Sequence, residues 1–271
     1  MKIISNHLKL YLTFFVLVSF FNANAQQFII QPGTLEFKVN AGTTETKTIR
    51  ILNTSAKPVM FEASLADWLR DSTGGHQYFR PDTLKRSCAS WVSIDRNVIQ
   101  VMPQQTAEMQ VTLRVPSTNE STAEMKWAML FLQTVSEKDA EAAKAGQLGA
   151  TIKELLRVGI HIYQTPPNII TKQAVANYLI KPDTIPDQLY FGVANTGKTM
   201  LQCKAFLTLT NLADGKETKL DRIEFPMFPD GKRRIIFKRP ADLPKGKYAC
   251  LAVLNIGDEE ELQAIEKTID W

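Results

Sequence analysis

From about residue 28 onward the chain is cut into short runs rich in β-branched and aromatic residues, and this punctuation constrains the fold more than any other feature. TLEFKVNAG, TETKTIRILNTS, KPVMFEASLADW, NVIQVMP, AEMQVTLRVP, MKWAMLFLQTV and IKELLRVGIHIYQ are separated by Gly, Asn, Pro and Ser. After a run near ITKQAVANYLIK come DQLYFGVANTG, TMLQCKAFLTLTN, TKLDRIEFPMFP, KRRIIFKRP, GKYACLAVLNIG and LQAIEKTIDW. Runs of this composition are strands and their separators are turns. About seven strands per half is the count expected of an immunoglobulin-like sandwich. The fold class is therefore all-β, with two immunoglobulin-like β-sandwich domains in tandem. One segment, SEKDAEAAKAGQ at Ser136–Gln147, is polar and alanine-rich and reads as a short helix or a loop.

The stretch TIKELLRVGIHIYQTPPNII, Thr151–Ile170, marks the division. Alternation puts Ile152, Leu156, Val158, Ile160 and Ile162 on one face, and Lys153, Arg157 and His161 on the other. Pro166 and Pro167 then end the strand, because neither donates a ladder hydrogen bond and each fixes its φ. This predicts one domain over residues 26–165 and a second, fibronectin III-like or immunoglobulin-like, over residues 166–271.

Residues 1–25 have a basic start (Lys2, Lys9), the apolar run LYLTFFVLVSFF and the small-residue ending Ala23-Asn24-Ala25. That pattern is a cleaved export signal. The apolar run is shorter than the roughly 20 residues of a spanning helix, so the mature product is expected in the periplasm with no membrane span. Without the leader and its two lysines, 246 residues remain, carrying 30 Lys and Arg against 28 Asp and Glu. So even a balance does not fit a nucleic-acid binder, which concentrates basic charge.

Catalytic patterns are scarce. The mature chain has two histidines, His76 and His161, and lacks CxxC, HExxH, GxSxG and P-loop sequences. His161 has no second ligand or nucleophile near it in sequence, and Asp258 to Glu261 read as a solvated loop run. The expectation is a non-enzyme with no cofactor and no metal. Tyr248 precedes Cys250 by two residues, the placement of a tyrosine-corner residue. Alternation points Cys203 and Cys250 inward, either as a disulfide of an exported protein or as buried free thiols. Cys88 is left over.

LEFKVNAGTTETKTIRILNTSAKPVMFEA, MPQQTAEMQVTLRVP and TIKELLRVGIHIYQTP together resemble the PapD-like periplasmic pilus chaperones. The resemblance implies that the late strand of the first domain is lent to an incomplete client sandwich by β-augmentation, in which backbone hydrogen bonds give affinity and alternate side chains give specificity. It places the donor positions at Ile152, Glu154 and Leu156. The family's cleft lysine falls on His161 and its partner arginine near Thr34, so neither basic residue is kept, while Arg157 and Lys153 share the strand face of His161. The arginine tying the two domains corresponds to Thr165 and its glutamate to Glu124, beside the hinge at Pro166 and Pro167. The implied partner is an exported client or pilus-type subunit. The alternative is a non-catalytic envelope adaptor that binds a folded partner of a secretion or adhesion assembly, since fold alone does not fix function.

Overall fold

The computed structural model describes residues 27–118, 123–135, 155–257 and 260–271. Two β-sandwiches follow one another. In the first, one sheet has the order β1 (Phe28–Gln31), β3 (Thr44–Asn53), β8 (Thr106–Arg114), β6 (Val92–Ile94). The facing sheet has the order β2 (Thr34–Phe37), β10 (Arg157–Gln164), β9 (Lys126–Val135), β4 (Val59–Arg70), β5 (His76–Phe79), with β7 (Val98–Val101) also pairing β4. β1 and β2 are nearly continuous in sequence, and the chain changes sheets between them at Pro32 and Gly33. β2 then runs parallel to β10, with Thr34 opposite His161 and Phe37 opposite Gln164.

The second sandwich sets β11 (Ala174–Ile180), β12 (Gln188–Asn195) and β16 (Lys232–Lys238) against β14 (Glu217–Lys219), β13 (Leu201–Asn211), β17 (Lys247–Asn255) and β18 (Gln263–Asp270). β15 (Ile223–Met227) pairs β13. The expected strand near ITKQAVANYLIK is β11. The helix-or-loop segment Ser136–Gln147 lies outside the described residues.

Each sandwich closes around its own core. Phe37, Ile49, Ile51, Phe61, Met109, Leu113 and Ile160 are buried in the first, and Phe191, Leu207, Phe237, Tyr248 and Leu254 in the second. Both fasten one turn with the same device. Buried Asn53 donates from Nδ2 to the Lys57 and Val101 carbonyls at 2.7 and 2.9 Å; buried Asn195 donates to those of Thr199 and Met227 at 2.9 and 3.0 Å. Paired amides of this kind let a polar side chain enter an apolar interior without an unmet hydrogen bond. The Tyr248 hydroxyl donates to the Pro244 carbonyl at 2.7 Å, which is the bond a tyrosine corner makes.

The disulfide alternative is corrected. Cys88, Cys203 and Cys250 are all free and buried. Cys250 lies across from Leu209, six positions along β13 from Cys203, or about 20 Å at the usual strand rise. A bridge needs Cα atoms within about 7 Å. Both thiols face inward as expected, but at different levels of the core. Burial pushes Cys203 up to about 12 and Cys250 up to about 11, and pushes Cys88 further in the same direction.

Candidate functional site: the cleft between the sandwiches

β9 explains where the cleft sits. From Trp127 to Leu132 every residue is buried, which is why MKWAMLFLQTV reads as an unbroken apolar run: the strand is covered on both faces. Ala128, Leu130 and Leu132 enter the core of the first sandwich. Trp127, Met129 and Phe131 point the other way, into a second cluster with Ala66, Trp68, Met125, Tyr163 and Phe228. β10 is divided likewise, with Ile160 and Ile162 facing the core and Tyr163 the second cluster.

The second sandwich supplies Phe228, from the turn between β15 and β16. Its ring meets Trp68 and Trp127 at 5.0 Å and Tyr163 at 5.5 Å between centroids. Trp68 and Trp127 are latched to the sheet through their indole N–H groups, which donate to the Ala128 and Trp68 carbonyls at 3.2 and 2.8 Å. These bonds hold the aromatic floor in place independently of Phe228.

Beside this contact lies a polar tie. Arg86 donates from Nε and Nη2 to the Asp230 carboxylate at 3.0 and 2.7 Å, and its Nη1 stands 3.0 Å from Glu124. The loop carrying Arg86 is held by buried Asp67, which accepts from the Thr83 and Leu84 N–H groups at 2.8 Å and from the Ser87 hydroxyl at 2.5 Å. Glu124 therefore has an arginine partner, supplied by Arg86 and not by the position of Thr165. Asp230 is mostly exposed, so the tie orients the two sandwiches more than it stabilises them. A cleft of about 480 Å³ runs alongside, lined by Trp68, Arg70, Arg86, Trp127, Phe228 and Arg233 among others. The β4–β5 hairpin closes one end, where the Arg234 N–H donates to the Ser72 carbonyl at 2.7 Å.

The hairpin turn is built by Asp71, whose Oδ1 accepts from Thr73, Gly74 and Gly75. The Thr73 hydroxyl is the first cause holding its carboxyl below the usual range. The hairpin curls over the sheet face, so that Tyr78 meets Phe131 at 5.0 Å and His76 meets His161 with the two Nε2 atoms 3.4 Å apart. Both imidazoles are held below the usual histidine value, chiefly by burial, with His76 and then Arg70 adding to the effect on His161 and Arg70 on His76.

The sequence-predicted positions fall as follows. His161 and Thr34 are register partners across β10 and β2. Arg157 lies over Phe131, its guanidinium carbon 3.5 Å from the ring centroid. Thr165 donates its N–H to the Phe37 carbonyl at 2.9 Å, and Pro166 is buried while Pro167 is exposed. Leu156 is 40% exposed; Ile152, Lys153 and Glu154 lie outside the described residues. Sequence reasoning missed Trp68, Arg86, Phe228 and Asp230. The doubly apolar run of β9 was the available signal for a second buried face.

One edge is open. The His161 N–H donates to the Gly33 carbonyl at 3.1 Å and the Thr165 N–H to that of Phe37, so odd-numbered residues of β10 point their N–H groups toward β2. β2 pairs with β10 only from His161 onward. By the same alternation Arg157 and Gly159 point theirs past the sheet switch at Pro32, where no partner strand stands among the described residues.

No protein-family model matches the sequence, and no curated protein matches it. Among solved structures, the chain is similar to one in the CsuC–CsuE chaperone–tip adhesion subunit pre-assembly complex from the archaic chaperone-usher Csu pili of Acinetobacter baumannii. The TM-score is 0.50 and the identity 11%, covering 89% of this chain and 98% of that one. It is also similar to a chain of a chaperone–tip adhesin complex of CFA/I fimbriae biogenesis, with a TM-score of 0.49, 10% identity and coverage of 90% and 98%. At 11% identity the first likeness establishes a shared two-sandwich fold.

Proposed function

We propose that the chain is a periplasmic PapD-like chaperone that binds exported client or pilus-type subunits by lending them the open edge of β10. The observation that carries this reading is the pair of backbone donors at Arg157 and Gly159, left beyond the end of β2 while the rest of the strand is paired. An unpaired strand edge is an aggregation liability that folds normally cover, and one kept available suits a partner that adds its own strand. In this reading residues 26–165 and 166–271 are the two units and residues 1–25 a cleaved export signal. Ile152, Glu154 and Leu156 continue the donor strand, Pro166 and Pro167 stiffen the exit from β10, and the chemistry is binding alone.

A second reading, an envelope adaptor for a folded partner, draws on His161 and Thr34 standing where the resemblance has lysine and arginine. Purifying the mature chain with its bound partners from its native envelope separates the two. The chaperone reading expects a subunit whose own sandwich lacks a strand and which unfolds or aggregates when released. Recovery only of partners that remain folded on release overturns it in favour of the adaptor.

A further inference from the structure

We propose that His76 and His161, packed together against Trp68, form a two-histidine binding site for a late divalent transition-metal ion, Zn²⁺ foremost. The inference goes beyond client binding and does not rest on it.

The two Nε2 atoms are 3.4 Å apart, longer than the about 2.7–3.2 Å of ordinary N–H···O bonds. Two nitrogen ligands on one tetrahedral zinc, each about 2.0–2.1 Å from it, stand about 3.3–3.4 Å apart. The imidazoles thus hold the separation that a shared ion requires, with little movement needed to admit one.

His161 lies within β10, bonded on both sides, and His76 opens β5, in register with Arg70 of β4. Trp68 packs against both rings at 4.9 Å, Tyr78 stacks on His76 at 5.9 Å and 10° between planes, and Tyr163 lies 5.7 Å from His161. Aromatic contacts of this kind limit ring rotation and lower the entropy cost of bringing the two ligands together, His76 lying on an exposed strand and His161 in the interior of its sheet.

Metal ligation needs neutral imidazole. An ion shared by the pair requires each ring to carry its hydrogen on Nδ1, which leaves both Nε2 lone pairs for the metal. Among the described residues no third His, Cys, Asp or Glu joins the pair, so water completes the coordination. Imidazole donors favour zinc, copper and nickel over magnesium or calcium.

The test titrates the metal-free mature chain with Zn²⁺ by calorimetry, and with Co²⁺ by visible absorption, at pH 7.5. The expected result is one ion per chain, tetrahedral Co²⁺ bands displaced by Zn²⁺, and at least a tenfold loss of affinity in both His76→Gln and His161→Gln, with Mg²⁺ not competing. Circular dichroism of both variants confirms that they fold. No saturable binding, or an affinity unchanged in either folded variant, overturns the proposal.

Discussion

Phe228 stands edge-on to Trp68, with ring centroids 5.0 Å apart and planes at 81°. That contact joins a turn of the second sandwich to the outer face of the first. Edge-to-face pairs add about 0.5–1.5 kcal/mol beyond the area they bury, whereas the half-exposed Arg86–Asp230 pair adds about 0–1. Apolar docking therefore outweighs the ion pair in holding the sandwiches together. Phe228→Ala should cost on the order of 3 kcal/mol and split one cooperative melt into two, one for each sandwich. Scattering should show a larger change in shape than for Pro166→Gly with Pro167→Gly, which leaves the aromatic contact in place. A single unsplit transition in Phe228→Ala would count against this ranking.

Gly159 is opposite Phe131 in the β9–β10 ladder. A Cβ there would come within 2.9 Å of the Met129 sulfur and 3.3 Å of the Phe131 ring. Gly159→Val should therefore destabilise by about 1–3 kcal/mol through overpacking, read as a lower urea midpoint with an unchanged slope.

Leu156 is an exposed apolar side chain whose N–H donates to the Thr134 hydroxyl at 3.1 Å. Leu156→Ser keeps that backbone bond, so its stability should stay within about 0.5 kcal/mol of the parent while recovery of the client falls. A large stability loss would place Leu156 in the core, and normal stability with normal recovery would remove it from the contact.

His76 and His161 both have folded-state values below the usual one. Their unfolded counterparts take up protons near pH 6.5, so acidification favours the unfolded chain. Their contribution to stability is fully present above about pH 6.5 and is lost as the pH falls through that value toward the depressed folded ones. The drop in melting temperature from pH 7.5 to 5.5 should shrink in His76→Gln with His161→Gln, measured without metal.

All three thiols are buried and free, and burial raises each one's value, so little thiolate forms near neutrality. A disulfide-exchange reagent at pH 8 should label none in the native chain within minutes and three per chain in guanidinium. Two missing thiols in guanidinium would mean a bridge.

The strands were legible because alternation and turn residues are local signals. Tyr248 and the inward-facing cysteines could be placed for the same reason. The cleft was harder to read. His76 precedes His161 by 85 positions and Arg86 precedes Asp230 by 144; no window of sequence contains either pair, and only the folding back of the β4–β5 hairpin and the docking of the β15–β16 turn bring them together. Carrying a domain-tying arginine over to Thr165 looked along one strand, while the fold supplies Arg86 from a loop positioned by Asp67. The missing disulfide is a matter of register, which alternation does not fix.

β9 has no spare face. A conservative change on most strands can turn toward solvent or relax into a loosely filled side, but between Trp127 and Leu132 each residue is closely packed in one cluster or the other. Neutral drift has little room there. As related chains diverge, loops and outer strands should lose their likeness first, leaving this six-residue stretch as the anchor by which distant relatives can be aligned.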